Sequence, residues 1–360
     1  MIRVGVVGGG LVAQAMHIPN LAALTGRFQL VGLAEPSETV RTALGARYGI
    51  RGLHADYRAL LGAEQLDAVV VASPAGTHAE VVLAALAAGL HVFVEKPMCI
   101  TLADADEIVA ARDQAERVVQ VGTMKRYDPA VERMLDDLPD SAAELRYISV
   151  VVNDPEFEPY FGSGEIVRGG DVPSDLIAAT RTAEAEQVEA AVGSGHPDVV
   201  RAFSESFLGS LLHDLNVVHG LLERMGEPLP ATVVAGDWWN EGRAVTGSVR
   251  LANGARWDSA WIQLLDSFEY DERISLFFAD SVRTLAFPSP WLRQCPTIYR
   301  RSEADGRAND VSVLSSYEES FSRELAHFHE CIVDGTPCRT PPEGARLDID
   351  VLTQMFLASR

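Results

Sequence analysis

Cysteine is scarce in this chain of 360 residues: Cys99, Cys295, Cys331 and Cys338 stand at irregular intervals. That excludes a disulfide framework and fits reduced thiols. Basic residues are also short, 30 against 51 acidic ones, for a net charge of −21. A surface of that sign repels phosphate backbones and anionic lipid, so neither nucleic acid nor a membrane surface is an expected partner. No run of about 18 uncharged apolar residues occurs, so no membrane-spanning helix is expected. The opening MIRVGVVGGG has no basic n-region, so no secretory leader is expected and the default location is the cytoplasm. Internal repeats and low-complexity tracts are missing too. His327-Phe-His329-Glu-Cys331 has metal-binding residue types, but on a helix His327 and Cys331 share a face while His329 points elsewhere. No second ligand group answers them, so no metal is expected.

What is present is a large apolar fraction, 47%, and length enough for two domains. The first third alternates strands and helices. Strands are expected at MIRVGVVG, QLVGLAE (29–35), DAVVVAS (67–73), HVFVEKP (91–97) and VVQVG (118–122). Continuous apolar runs of this kind suit a parallel sheet buried on both faces. Between them, a short helix through about His17 stops before Pro19. Helices 77–88 and 101–116 open with Thr77/Glu80 and Thr101/Asp104 at capping-box spacing. The alternation predicts a doubly wound, Rossmann-type α/β domain over 1–124. The remainder, 125–360, reads as an α+β domain with a mostly antiparallel sheet. Its signs are the strand RYISVVVND (146–154), a hairpin turning on Asn253-Gly254, a second hairpin in ERISLFFADSVRTLAF and a helix over about 319–333. The stretch 155–205, rich in Pro, Gly and acidic residues with a helical part DLIAATRTAEAEQVEAAV, reads as an insertion lying over a cleft.

VGVVGGGLVAQ carries Gly8 and Gly10 of a G-x-G-x-x-G loop, with Ala13 in the third place. Such a loop is weak evidence alone. Here it follows a strand, opens a helix and lies in a βαβ unit, which is the context of a dinucleotide-binding turn. Gly8 permits the tight turn and Gly10 a close approach to pyrophosphate; the third place needs only a small side chain. The first helical amides, at Leu11 and Val12, would supply the anion site. Glu35, 22 residues beyond Ala13, ends the second strand, where a carboxylate can accept hydrogen bonds from the adenosine ribose. It would repel a 2′-phosphate, and Pro36-Ser37-Glu38-Thr39 offers no basic residue, Arg41 being the nearest. NAD is therefore expected over NADP.

Four stretches together resemble the glucose–fructose oxidoreductase / inositol dehydrogenase / MocA (Gfo/Idh/MocA) family. They are VGVVGGGLVA with Glu35, VVVASPAGTHAEVVLAALAAGLHVFVEKP, VGTMKRYDP and GSLLHDLNVVHGLLERMG. The resemblance implies a Rossmann domain followed by a domain built on a large open sheet, commonly paired into a homodimer or homotetramer. It also implies hydride transfer between nicotinamide and a secondary alcohol or ketone of a sugar, cyclitol or related metabolite. The lysine of Glu95-Lys96-Pro97 would lie near the nicotinamide and the substrate hydroxyl, where an ammonium favours the alkoxide. His213 matches the family's histidine and would act as general base. The aspartate the family often carries four residues earlier is replaced by Gly209, while Asn216 lies one turn beyond His213 and His219 offers another register. Ser73, Pro74 and His78 would touch the cofactor, as would Glu95. Lys125, Arg126 and Tyr127, with Asn153 and Asp154, are substrate-side candidates alongside Lys96, His213 and Asn216. Trp238 and Trp239 could stack on a sugar ring, but neighbours on a strand face opposite ways. Two alternatives remain open. One is a lyase or glycosidase that oxidises its substrate only transiently, and the other is a non-catalytic NAD-binding sensor.

Overall fold

The computed structural model describes residues 1–155, 166–227, 229, 231–292, 295–305 and 308–359. They form two compact units whose sequences interleave. The first comprises Met1–Thr123, Phe161–Ala191 and Phe321–Arg346; the second comprises Met124–Tyr160, Val192–Ser320 and Leu347–Arg360. A single cut at 124/125 thus does not describe the chain. Burial explains why the late segment returns: Leu325 and Phe328 share one core with Ile2, Val4, Val70 and Phe93. Of the stretch 155–205, residues 156–165 lie outside the described residues, and its middle part packs within the first unit. Among the described residues no helix is long and apolar enough to cross a membrane.

The first unit holds a six-stranded parallel sheet in the order β3-β2-β1-β4-β5-β6. Its strands are β1 (Ile2–Val7), β2 (Phe28–Ala34), β3 (Gly52–His54), β4 (Ala68–Val71), β5 (His91–Glu95) and β6 (Val119–Gly122). This is the Rossmann order, whose topological switch lies between β1 and β4. Val69, Val70, Val71, Val92 and Val94 are fully buried, as expected of strands covered on both faces. Strand β3 escapes sequence reading because it is three residues long and buries only Gly52.

Two local expectations need correction. Pro19 does not stop the first helix. A π-helical turn, Ala13–His17, runs into α1 (Ile18–Ala23), and Pro19 falls in the first turn of that segment, where a missing N–H costs little. Thr77 does not cap α4 (His78–Ala87). Its Oγ1 instead donates to Pro74 O (2.7 Å) and pairs with Ser73 Oγ (2.7 Å), while Glu80 accepts from Tyr57 OH (2.8 Å). By contrast α2 (Glu38–Tyr48) is capped by Ser37, and α5 (Leu102–Ala115) by Thr101, which accepts from Asp104 N (3.0 Å).

The second unit is built on an eight-stranded sheet, order β14-β13-β12-β11-β7-β10-β9-β8. The strands are β7 (Leu145–Pro155), β8 (Thr232–Trp239), β9 (Ala244–Arg250), β10 (Arg256–Leu264), β11 (Asp271–Phe278), β12 (Ser281–Phe287), β13 (Thr297–Asp305) and β14 (Ala308–Ser316). β7 pairs parallel with β10, and the other strand pairs of this sheet are antiparallel. The β9–β10 hairpin turns on Gly254 at φ +88°, with Asn253 Oδ1 accepting from Ala255 N (2.8 Å). One face carries Ile148, Val150, Trp257 and Ile274 into the core, and the other leaves Val151 and Phe277 exposed. Helix α11 (Pro342–Leu357) lies close on β8 and β9, because a Cβ at Gly236 would stand 1.8 Å from Met355 O and one at Gly247 2.4 Å from Met355 Sδ. A π-helical stretch Arg201–Leu211 leads into α9 (Leu212–Arg224).

Candidate dinucleotide site and substrate-side residues

The glycine loop has the shape a pyrophosphate requires. Gly8 sits at φ +98°, and a Cβ there would come within 2.4 Å of Ala72 O, so only glycine fits. A Cβ on Gly10 would meet nothing within 4 Å, which leaves the approach to the amides of Leu11 and Val12 open. Glu35 follows β2 and is held by the main chain. Its Oε2 accepts from Gly9 N (2.7 Å) and its Oε1 from Ser37 N (2.8 Å). Arg41, the one nearby cation the sequence offered as a phosphate partner, is turned onto Glu35 O (2.6 Å) and Pro36 O (3.3 Å). The residues present therefore fit a dinucleotide.

Lys96, half-buried, follows β5 on a turn braced from two sides. Glu95 Oε2 accepts from Lys96 N (3.0 Å), and its Oε1 accepts from His17 Nε2 (2.6 Å). Burial opposes the Glu95 charge, yet the His17 hydrogen bond and charge, with Lys96, hold its carboxyl below the usual range. Glu324, itself fully buried, closes the group: ligand atoms of His17, Glu95 and Glu324 lie within 4.8 Å of one another. His17 Nδ1 is buried without a partner among the described residues. On the other side His78 spans Ser73 O (Nε2, 2.7 Å) and Pro97 O (Nδ1, 2.8 Å). Burial lowers the His78 pKa against the pull of those two carbonyls. His78 and Glu95, expected as cofactor contacts, also bond inside the protein and brace the Ser73-Pro74 loop and the Lys96 turn.

In the second unit the substrate-side candidates divide. Arg126 and Tyr127 were expected to line a cleft, but both are buried, Tyr127 to 1% exposure. The Arg126 guanidinium lies over Gly220, donates to Asn216 O (3.1 Å) and faces Glu223 (3.7 Å), so it clamps α9. Asn153 Nδ2 donates to Glu269 O (2.9 Å). Lys125 is buried between Glu272, which it contacts directly, and Asp214 at 3.6 Å. Tyr270 OH donates to the other oxygen of Glu272, and the Lys125 ammonium stands 5.1 Å from the centre of the Phe287 ring. Burial pushes the Lys125 pKa down, against the charge of Asp214. Burial likewise pushes the Asp214 carboxyl up, against Lys125. Trp238 stacks on Phe356 (6.0 Å, 11°), which makes it packing, and Trp239 is exposed.

His213 begins the face of α9 as expected and is half-buried. Gly209 lies in the π-helical stretch, where a Cβ would come within 3.0 Å of Ser204 O, so the backbone crowds that position. An orienting carboxylate is nonetheless present, for the other histidine. His219 Nδ1 donates to Asp348 Oδ1 (2.8 Å), and Asn216 Nδ2 donates to Asp348 Oδ2 (2.6 Å). Asn216 is thus tied to α11. Asp348 and Glu272 were missed by sequence reading. Glu272 had a signal: it falls at an inward position of β11, in phase with Ile274 and Leu276.

Known proteins resemble this chain in its Rossmann unit. Residues 2–123 match the model of the Gfo/Idh/MocA "Oxidoreductase family, NAD-binding Rossmann fold". Inositol 2-dehydrogenase 3 of Saccharopolyspora erythraea is 39% identical over 138 residues, 37% of this chain and 39% of that protein. Myo-inositol 2-dehydrogenase of Thermotoga maritima is 22% identical over 96% of this chain and 92% of its own. The likeness to the Gfo/Idh/MocA oxidoreductase family is thus shown for residues 2–123, the Rossmann segment. The chain's matches to the first inositol dehydrogenases span about two fifths of their length. Solved structures match the fold across the whole chain. KijD10, a 3-ketoreductase from Actinomadura kijaniata in complex with NADP and TDP-benzene, superimposes at TM-score 0.74 with 17% identity, covering 100% of this chain and 98% of its own. UDP-N-acetylglucosamine 3-dehydrogenase GnnA from Acidithiobacillus ferrooxidans does so at 0.72 with 19% identity, covering 99% and 97%.

Proposed function

We propose that this chain is a nicotinamide-dependent dehydrogenase or ketoreductase acting on a secondary alcohol or ketone of a sugar, cyclitol or related polyol. The observation that carries the reading is the pairing of an open glycine loop with a braced Glu95-Lys96-Pro97 turn in one Rossmann unit. The names of the similar proteins, inositol dehydrogenases and a 3-ketoreductase, support the substrate class. Glu35 favours NAD, since a second anion beside it is repelled. When bound, the nicotinamide takes or returns the hydride. Lys96 is assigned to the substrate oxygen, where its ammonium stabilises the alkoxide; Glu95 and His78 position it by gripping the main chain on either side. His213 is assigned as the base that holds the hydroxyl proton, with His219 the contender because Asp348 orients its ring. The exposed apolar residues Val151 and Phe277 on the outer sheet face support pairing of two copies there, checked by light scattering.

The test is a panel of sugars, cyclitols and keto-sugars offered with NAD and NADH while the absorbance of reduced nicotinamide is followed. One equivalent of NADH per carbinol oxidised is expected. Substrate turnover without net NADH would replace this reading with transient oxidation. NADH binding with no turnover across the panel would favour the sensor.

A further inference from the structure

The N-terminus of α2 is an anion site by construction. It follows Glu35 directly, and Ser37 caps it, Oγ accepting from Val40 N (3.1 Å). The neighbourhood of the acidic residue after the second strand is where a Rossmann domain reads the adenosine 2′ position. In this chain a carboxylate already fills it. Asp171 comes from the stretch preceding α7 (Ser174–Val192), 134 residues from Ser37. Its Oδ1 accepts from Ser37 Oγ (2.5 Å), and its Oδ2 accepts from Thr39 N (2.9 Å) and Thr39 Oγ1 (3.1 Å). Those donors pull the Asp171 carboxyl down to about 2, so it is charged at neutral pH.

The stretch is stitched down at its other end too. Val167 N donates to Gln14 Oε1 (2.8 Å), and Gln14 Nε2 donates to Val167 O (3.0 Å) and to Gly9 O of the glycine loop (2.7 Å). Between these anchors the backbone passes hard against Ser37, since a Cβ on Gly169 would stand 1.9 Å from Ser37 Oγ. Residues 167–171 therefore run from the glycine loop to the α2 N-terminus as a strap. Two carboxylates, Glu35 and Asp171, flank Ser37, and the Arg41 guanidinium is committed to main-chain carbonyls.

We propose that Asp171 is a second specificity-determining residue: its carboxylate takes the donors of Ser37 and Thr39 and so excludes a dinucleotide carrying a 2′-phosphate. The proposal rests on the dinucleotide reading above and adds a determinant from outside the Rossmann core. A 2′-phosphate approaching this position meets two fixed negative charges and finds its hydrogen-bond donors occupied. An adenosine ribose with free hydroxyls meets carboxylate acceptors instead.

The experiment measures equilibrium binding of NADH and of NADPH, read from reduced-nicotinamide fluorescence, on the native chain and on Asp171→Asn and Asp171→Ser. Two neutral replacements guard against one that misfolds. The native chain should prefer NADH. Each variant should bind NADPH about tenfold more tightly than the native chain does, as loss of one like charge at close range predicts, with little change for NADH. An unchanged NADPH-to-NADH ratio overturns the proposal. Equal gains for both dinucleotides overturn it too, because the strap would then be a general obstruction. Binding of neither dinucleotide to the native chain defeats the dinucleotide reading and this inference together.

Discussion

Replacing Lys125 by methionine removes the ammonium from a buried group that contains two carboxylates. The Lys125 side chain is 8% exposed, Asp214 1% and Glu272 0%. Methionine fills a similar volume, so the cavity term is small and the loss is electrostatic. Removing one partner of a buried ion pair costs about 3–5 kcal/mol, because the surviving charge is left uncompensated. At roughly 2–4 °C per kcal/mol for a unit of this size, the second unit should melt about 6–20 °C lower. The pH dependence has a definite sign. Asp214 already has a raised pKa, so it contributes stability below 3.8, its ordinary value, that is lost as pH rises through the folded value. Without Lys125 the upward shift grows, so the deficit should widen as pH rises through the folded value. Calorimetry of the native chain, Lys125→Met and the double variant Lys125→Met/Glu272→Leu reads all of this. The double variant should recover most of the loss, since apolar replacement of a buried pair is often neutral or better. A single variant that melts within about 2 °C of native, or a double variant no better than the single, would refute the claim that this charge group holds the unit together.

Gly8→Ala should lower NADH affinity by about a hundredfold or more, because its Cβ would stand 2.4 Å from a backbone oxygen and the loop must move; fluorescence titration checks it. His213→Ala should flatten the pH dependence of the rate near neutrality while His219→Ala leaves it, and the reverse pattern would assign the base to the His219–Asp348 pair.

The parts of this molecule that could be read along the chain are those written in consecutive residues. Strand β1 and its loop announce themselves as an apolar run followed by glycines. Thr101 with Asp104 marks the start of α5, and Asn253-Gly254 marks a hairpin. The same local rule misled at Thr77, where an identical spacing lost to a competing bond with Pro74 O. It misled again at Pro19, where the proline sits in the first turn of α1 and the helix runs on. What remained hidden is nonlocal. Glu272 meets Lys125 across 147 residues, Asp348 meets His219 across 129, and Asp171 reaches Ser37 across 134. No spacing rule links such pairs; only the packing of the finished sheets and helices brings them together. His78, Glu95, Arg126 and Tyr127 are buried, and the internal partners of His78, Glu95 and Arg126 are likewise far off in sequence.

Lys96→Ala tests the central claim most directly, measured for both NADH binding and turnover on whichever carbinol the panel identifies. Retained NADH affinity with turnover reduced to background is the predicted result on the proposed assignment of the ammonium to the substrate oxygen and of the glycine loop to the dinucleotide. Turnover close to native would contradict it.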